Sequence, residues 1–443
     1  MINLKLAERF FIITMCFSIF FSFLLKPFND DEVISNLLVI FNLLLVIFLL
    51  IPVIVKNNNV KLLLYIFLFL RVLLLYFDYY GKDIGNVLHS GGDSERFYEW
   101  GLLISKNLNL IKEISYTKYT DFLAILYWVI GDQRFFSQFI NVLLGFWSIF
   151  VFYKVLDLFK LKDATKLFFF ALYGFYPQNI IFSSILLREA LIQFFFMYSI
   201  LFFIKWLNSN KRIHVFKTLI FIVLSSFFHP GMLLGLLVYV FMFLFLDVQN
   251  YKFNFTFKKI AFLTIFCSLS LAFIIYNSSL LTGKLAIFVI QENSSLIENY
   301  QSKSGIEEGG ATYLRNFKVN SPIDLVLFMP LRLVYFIFSP MPYDVRGLGD
   351  LVAIFLDSSF YYFLVYMIVV SISFIKRNIF TIFPKIFLIL FLTISLGFAL
   401  GTENSGTAMR HRSKVFPVLL VAVIFIESIK QNKTFIWNDE KID

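Results

Sequence analysis

The sequence predicts an all-α integral membrane protein with about twelve transmembrane helices. Of its 443 residues, 59% are hydrophobic and only 15% are charged, and the mean hydropathy is +0.79. A soluble domain carries about 25% charged residues, so the chain lacks the polar surface of a soluble enzyme or a nucleic-acid-binding protein. The formal net charge of +10 fits a membrane protein, because most Lys and Arg residues fall in short segments between apolar runs.

Twelve apolar runs are long enough to be candidate spans, for which about 20 mainly apolar residues are needed. They are residues 10–25, 33–55, 61–80, 135–153, 167–183, 189–206, 214–229, 231–247, 259–276, 353–374, 379–399 and 415–429. If the N-terminus is cytoplasmic, each short cytoplasmic loop carries at least two Lys or Arg residues, and the short loops opposite carry one or none. We therefore expect both termini in the cytoplasm.

The first of two long polar regions, residues 81–134, is predicted on the extracytoplasmic side. It contains a Gly-Gly-Asp sequence that ends at Asp93. Phe97, Trp100 and Ile104 then follow at helical spacing, which is typical of an amphipathic interfacial helix. We expect this helix to lie on the membrane surface.

The second extracytoplasmic region, residues 277–352, is the most polar part of the chain. Within it, residues 323–338 are apolar, but Pro330 and Arg332 are expected to break the segment up. If the segment crossed the membrane, the charge bias of the following loop would be reversed. We therefore expect a re-entrant or interfacial piece, which is tolerated where protein or water satisfies its backbone.

Ionisable side chains gather at the predicted extracytoplasmic ends of the spans, where such groups raise a functional hypothesis. A carboxylate or imidazole can accept the proton of an attacking hydroxyl, and the candidate catalytic residues are Asp93, Glu95 and His229. Arg offers a planar fork of donors that matches phosphate oxygens. The candidate substrate-binding residues are Arg188, Glu189, Arg315, Arg332, Arg346, Arg410, His411 and Arg412. Together they suit a lipid with an anionic headgroup.

Each candidate also has a structural explanation. Asp93 can cap the helix that follows it, and Arg188 can extend its long stem to the interface. His229 can close a tight turn between two spans, and residues 410–414 can anchor the last span to headgroups. Taken together, these structural explanations account less well for the pattern. Short outer segments normally contain few arginines, whereas in this chain several arginines are predicted on the outer face.

Other polar residues point to no cofactor. Arg71 and Asp78 share a helical face inside the third span and suit a structural pair as well as a functional one. Cys16 and Cys267 both lie in apolar runs, so neither a disulfide framework nor a cysteine metal site is expected. The sequence has no dense Asp/Glu cluster for a divalent metal and no Gly-rich loop for a nucleotide.

Three local patterns, spread over most of the chain, carry a family resemblance. They are Gly92-Asp93-Ser94-Glu95-Arg96-Phe97-Tyr98, Leu187-Arg188-Glu189-Ala190 with Phe228-His229 closing the next span, and Ala408-Met409-Arg410-His411-Arg412. The set resembles the Wzy-type O-antigen and capsule polymerases and the EpsG-like polysaccharide polymerases. EpsG-like chains usually have Arg-Gln where this chain has Arg188-Glu189.

The resemblance implies a glycosyltransferase that joins undecaprenyl-diphosphate-linked oligosaccharide repeat units into a surface polysaccharide. It places the reaction on the outer face of the bacterial inner membrane and implies no cofactor, no metal and no nucleotide sugar. The implied partners are the lipid-linked oligosaccharide, membrane lipid, a chain-length regulator and a flippase, with no nucleic acid.

Two other classes of protein remain open. A multi-span glycosyltransferase that uses a polyprenyl-phosphate sugar also needs an acid on an outer loop, and Asn29-Asp30-Asp31-Glu32 resembles the acidic motif of that class. A lipid-linked oligosaccharide flippase or transporter is the alternative without enzymatic activity. A transporter would favour charges at the membrane midplane and an internal repeat. In this chain the charges are mostly predicted near one face of the membrane.

Overall fold

The computed structural model describes residues 4–25, 31–114, 116–276, 312–314, 322–372 and 382–432. Within these ranges the chain is almost entirely helical, which confirms the all-α prediction. The chain divides into two compact units, Met1–Leu201 and Phe202–Asp443.

Seven helices of the described residues are long and apolar enough to cross a membrane, and the chain is a membrane protein of the all-α class. They are Leu6–Leu25, Asp31–Ile54, Asn58–Tyr80, Arg134–Asp157, Glu189–Ser209, Leu348–Val369 and Ile382–Leu400. Each of the twelve predicted apolar runs lies largely on helix, but several are shorter or broken, so the number of spans stays a prediction.

The first unit is built around one deeply buried helix, α6. Its elements include α1 (Leu4–Leu25), α2 (Asp31–Ile54), α3 (Asn58–Tyr80), α4 (Asp93–Ser105), α5 (Lys118–Ile130), α6 (Arg134–Asp157), α7 (Asp163–Gly174), α8 (Pro177–Ser184) and α9 (Glu189–Ser209), which continues into the second unit. Gly145 of α6 permits a close crossing with α8, because a Cβ atom at this position would lie 2.3 Å from Cβ of Ser183.

The second unit is built around the C-terminal helix, α16, whose residues are mostly buried. Its elements include α10 (Arg212–Phe228), α11 (Pro230–Phe245), the short strands β1 (Leu246–Asp247) and β2 (Lys252–Phe253), α12 (Phe257–Tyr276), α13 (Pro322–Phe338), α14 (Leu348–Val369), α15 (Ile382–Leu400) and α16 (Ser405–Asn432). The helices α13, α14 and α15 all pack against α16.

One local expectation was wrong. The segment 323–338 is not broken up by its proline, because α13 runs continuously through Pro330. Packing against α15 and α16 compensates for the backbone hydrogen bond that Pro330 cannot make. Whether α13 is re-entrant, interfacial or spanning stays a prediction.

Among the residues that the structure describes, two helices contain a π-helical turn, a feature that is frequent at functional sites. In α2 the turn covers Val46–Leu50, and in α14 it covers Ile354–Ser358. The turn in α14 includes Asp357 and Ser358, both of which are buried. This turn therefore carries polar side chains into the interior of the second unit.

Candidate functional site

Helix α4 in the first unit begins with the Gly-Gly-Asp sequence. Gly91 has a φ of +88°, a conformation that favours glycine, and its N–H donates to Oγ of Ser94 at 3.2 Å. Gly92 occupies the N-cap position and Asp93 is the first residue of the helix. Asp93 is therefore not the N-cap residue. It lies half-buried in the first turn, where the helix dipole stabilises a negative charge.

Glu95, two residues further on, is held by two cations. Arg134 donates from Nη1 to Oε2 at 2.5 Å and from Nη2 to Oε1 at 2.6 Å. Lys82 donates to Oε1 at 3.0 Å. The hydrogen bonds from Arg134 hold the pKa of Glu95 at about 2, although partial burial opposes them. A carboxylate of such low pKa is a weak base, so this geometry favours a positioning role for Glu95 over the predicted catalytic one.

Arg188 lies in the break between α8 and α9, and α6 supplies hydrogen bonds to this break. Nδ2 of Asn141 donates to the carbonyl oxygens of Ile185 at 3.0 Å and Leu187 at 2.8 Å. These bonds satisfy carbonyl groups that a helix would otherwise have satisfied. The break presents Arg188 toward α4, where its Cζ lies 5.9 Å from the centroid of the Phe97 ring.

Glu189 is placed deeper than its neighbour. Arg188 is half-buried, whereas Glu189 is fully buried in the first turn of α9. Burial and, to a smaller extent, the charge of Glu189 raise the pKa of Tyr119 in α5. The first unit thus places Arg188 over Phe97, one helical turn after Asp93, with Glu189 buried beside Arg188 in the chain.

The predicted histidines lie together in the second unit. The ring centroids of His229 and His411 are 5.1 Å apart, and Phe398 of α15 stacks on His411 at 4.9 Å. Gly231 permits this packing, because a Cβ atom there would lie 2.4 Å from Cε1 of Phe398. Lys414, which is fully buried, places its Nζ 3.0 Å from Nδ1 of His411. We call His229, His411, Lys414 and the adjacent Arg410 the imidazole cluster.

The hydrogen bond from Gly231 assigns the tautomer of His229. The backbone N–H of Gly231 donates to Nδ1 of His229 at 3.2 Å, whereas Nζ of Lys414 lies within hydrogen-bond distance of Nδ1 of His411. A neutral imidazole that accepts at Nδ1 carries its proton on Nε2. His229, as a neutral ring, therefore carries its proton on Nε2, a tautomer that suits donation from Nε2 better than acceptance of a proton there.

The remaining predicted arginines are dispersed. Arg332 of α13, with 2% of its side chain exposed, pairs with Glu403 at 2.9 Å. Arg346 forms a partly exposed pair with Asp350 at 2.8 Å. Arg315 lies outside the described residues.

The contacts of Arg412 favour a structural role over its predicted role in binding substrate. It is fully buried, and its Nε donates to Oδ2 of Asp357 at 2.5 Å. Nη1 donates to the carbonyl oxygens of Phe336 and Ile337, and Nη2 donates to Oγ of Ser358. With every guanidinium nitrogen engaged, Arg412 has no free donor for a diphosphate.

Arg71 and Asp78 are both buried in α3 but do not form an ion pair with each other among the described residues. Nη1 of Arg71 donates to the carbonyl oxygen of Phe67 at 3.0 Å, whereas Asp78 accepts from Nε2 of Gln138 at 2.6 Å. Nε of Arg71 and both polar side-chain atoms of Asn179 have no hydrogen-bond partner in the described part of the chain. The predicted structural pair is therefore absent there.

A cavity of about 510 Å³ lies at the ends of α2, α3 and α6 in the first unit. Its wall includes three carboxylates, Asp31, Glu32 and Asp132, and three tyrosines, Tyr79, Tyr80 and Tyr98. We call it the Asp132 cavity. Across the described ranges, no group of three His, Cys, Asp or Glu residues is placed to hold a metal ion.

Several residues of these sites were missed by the sequence analysis. Arg134 is the last residue of the polar region 81–134 and Asp357 lies inside an apolar run, and their roles depend on partners 39 and 55 residues away. Lys414 was assigned to membrane anchoring, yet it lies under His411. The spacing of three between His411 and Lys414, one turn of a helix, was a signal that could have linked them.

Comparison with known proteins adds no relative: no family model, curated protein or solved structure matches the chain.

Proposed function

We propose that this protein is a glycosyltransferase that polymerises lipid-linked oligosaccharide repeat units, as its motifs resemble those of the Wzy-type and EpsG-like polymerases. In each transfer, the bond between the anomeric carbon of the donor and its diphosphate breaks. A new glycosidic bond forms to a hydroxyl of the acceptor, whose proton passes to a base. The lipid diphosphate leaves.

The imidazole cluster is the observation that supports this proposal best. A departing diphosphate gains negative charge, and pre-placed donors stabilise that charge in the transition state. His229 and His411 lie side by side, Lys414 contacts His411, and Arg410 is the residue before His411 in the chain. We assign binding of a lipid diphosphate to this cluster.

The first unit contributes a second cationic group, Arg188, together with the carboxylate of Asp93. Phe97, which contacts Arg188, lies one helical turn after Asp93. We assign the proton acceptor to Asp93, because Glu95 is engaged by Arg134 and Lys82. The reaction joins two lipid-linked oligosaccharides, each with its own diphosphate. Each compact unit of the protein supplies one cationic group, which agrees with that number.

We further propose about twelve spans in a bacterial inner membrane, with both termini cytoplasmic and the regions 81–134 and 277–352 outside. The charge bias of the short loops supports this orientation. In a chain without its native cysteines, cysteines introduced at Ser302 and at Asn57 should label oppositely with an impermeant reagent. Ser302 lies outside the described residues. Labelling at Asn57 but not at Ser302 from outside the cell would contradict the topology.

The proposed function is tested with the purified full chain and lipid-linked oligosaccharides extracted from its source cells. We expect products whose sizes form a ladder of repeat units. Arg410→Lys keeps the charge but loses the bidentate fork, so single repeat units should accumulate on the carrier. Arg212→Lys, an exposed residue at the start of α10, is the matched control. A full ladder from Arg410→Lys would limit Arg410 to membrane anchoring, and no ladder from the wild type would refute the proposal.

The multi-span glycosyltransferase remains the second candidate because of one observation. Asp31 and Glu32, part of the acidic motif after the first span, line the Asp132 cavity. A transferase of this class adds one sugar from a polyprenyl-phosphate donor. The size of the product separates the two functions, since a single addition gives one band and polymerisation gives a ladder.

A further inference from the structure

The Asp132 cavity has the dimensions of a small-molecule site. Its volume is about 510 Å³, within the range of roughly 300–1,000 Å³ that is usual for ligand pockets. It lies at the start of α2 and α6 and at the end of α3, which runs antiparallel to the other two helices. Gly131, with a φ of +87°, places its α-carbon against Asp31 and so fixes one side of the cavity.

The charges of the cavity disfavour an anionic ligand. Lys82 and Arg134 belong to the wall, but both donate to Glu95. Three carboxylates, Asp31, Glu32 and Asp132, face these two engaged cations. An approaching phosphate or uronate would therefore meet like charges, which is costly in a partly desolvated site.

The hydrogen-bonding groups suit a ligand rich in hydroxyls. Tyr98 donates its hydroxyl to both oxygens of Asp132, at 2.8 and 2.9 Å. Burial, together with this hydrogen bond, raises the pKa of Tyr98, so it stays a donor and fixes the orientation of Asp132. An ionised carboxylate has about four acceptor positions, which leaves some for hydroxyl or amino groups of a ligand.

Aromatic rings supply flat and rigid faces beside these acceptors. The rings of Tyr79 and Tyr80 contact each other at 4.8 Å, and Phe135 of α6 packs against Tyr79 at 4.9 Å. Arg134 lies over the ring of Tyr98, with Cζ 4.9 Å from its centroid. Tyrosine combines an apolar face with a polar tip, and this combination matches a sugar ring, which has apolar C–H faces and a rim of hydroxyls.

We infer that the Asp132 cavity is a carbohydrate-binding site that takes a neutral or amino sugar and excludes acidic ones. The cavity shares no residue with the imidazole cluster. The inference goes beyond the proposed function because sugar binding in this cavity requires neither a lipid diphosphate nor glycosyl transfer. Its failure and that of the proposed function are therefore distinguishable, since free sugars test the one and lipid-linked substrate tests the other.

The test is saturation-transfer NMR on the full chain in nanodiscs, with glucose, glucosamine, N-acetylglucosamine and glucuronate as probes. We expect transfer to at least one neutral or amino sugar and weaker binding of glucuronate than of glucose, from which it differs by a carboxylate. Asp132→Asn should lower the affinity for the sugar about tenfold, the loss expected for one charged hydrogen bond. Asp132 is exposed, so its replacement leaves the fold unchanged.

Two further variants complete the design. Tyr98→Phe keeps the ring but removes the hydroxyl that orients Asp132, and it should also weaken binding. Asp163→Asn, an exposed carboxylate in the first turn of α7, is the matched control and should bind as the wild type does. The inference is overturned if no probe binds, if glucuronate binds as well as glucose, or if Asp132→Asn and Tyr98→Phe both leave the affinity unchanged.

Discussion

The guanidinium of Arg188 lies over the ring of Phe97, with Cζ 5.9 Å from the ring centroid. This contact joins the break between α8 and α9 to helix α4, one turn after Asp93. A cation over an aromatic face gains about 0.5–1 kcal/mol at exposed sites and more when desolvated. The contact therefore orients Arg188.

Arg188→Lys should fold normally but lose most polymerisation. Lys preserves the charge and the cation–π contact, yet it lacks the planar fork. Loss of one charge-assisted contact costs about 1.5–3 kcal/mol, or roughly a ten- to hundredfold fall in rate if the contact forms mainly in the transition state. The measurement is the distribution of product lengths, with Arg9→Lys, an exposed residue in α1, as control. An unchanged distribution would leave Arg188 as an interfacial anchor.

Asp93→Asn should abolish polymer formation without loss of stability. Asn preserves the shape of the side chain but cannot accept the proton of the attacking hydroxyl. Because Gly92 holds the N-cap position, the substitution removes no capping residue. The rate of polymer synthesis is compared with that of Asp83→Asn, an exposed carboxylate in the same region. Synthesis at the normal rate by Asp93→Asn would show that another group is the base.

At His229, the tautomer predicts different outcomes for two substitutions. Asn places a polar atom near the position of Nδ1 and can still accept from Gly231, whereas Gln places an N–H near the position of Nε2. If the Nε2–H donates to a diphosphate, His229→Gln should retain more activity than His229→Asn. His214→Asn, near the opposite end of α10, serves as control. The reverse order would favour proton acceptance by His229.

The buried pair of Arg412 and Asp357 should behave as a structural unit. Arg412→Met leaves an uncompensated buried carboxylate and should cost about 3–5 kcal/mol of unfolding free energy. The double variant Arg412→Met with Asp357→Leu should recover most of that loss. Thermal unfolding in detergent provides the measurement, and Arg346→Met, in an exposed pair, should cost only about 0–1 kcal/mol. Normal stability of Arg412→Met alone would contradict the structural role.

Glu95 should make stability depend on pH in acid. Its pKa is lowered from 4.5 to about 2 in the folded protein, so the folded state favours the ionised form. The stabilisation is fully present above pH 4.5 and is lost as the pH falls through about 2. The difference in Tm between the wild type and Glu95→Gln should therefore shrink as the pH falls from 4.5 to about 2. Glu99→Gln, exposed in the same helix, should show no such trend.

The sequence predicted the helices well because hydrophobic runs and their breaks are local properties. The amphipathic helix after Asp93 was predicted with its buried face, including Phe97 and Ile104. The proximity of His229 and His411 was suggested only by their positions at the extracytoplasmic ends of predicted spans, since the two lie far apart in the chain. Neither the local sequence pattern nor the family resemblance distinguished Arg410 from Arg412. Their roles differ because successive residues on a helix face different directions, and only Arg412 is directed at Asp357.

The two hydrogen bonds from Asn141 have a consequence for biosynthesis. The carbonyl oxygen of Ile185 also accepts from the backbone N–H of Leu187, at 2.8 Å, but that of Leu187 would lose its bond from Asn141 if the segment entered the lipid by itself. Asn141 precedes both in the chain, so a ribosome that synthesises from the N-terminus delivers the donor before its acceptors. Insertion of α8 and α9 is thus expected to wait for α6, and a chain with α6 moved behind α9 should stall at that step.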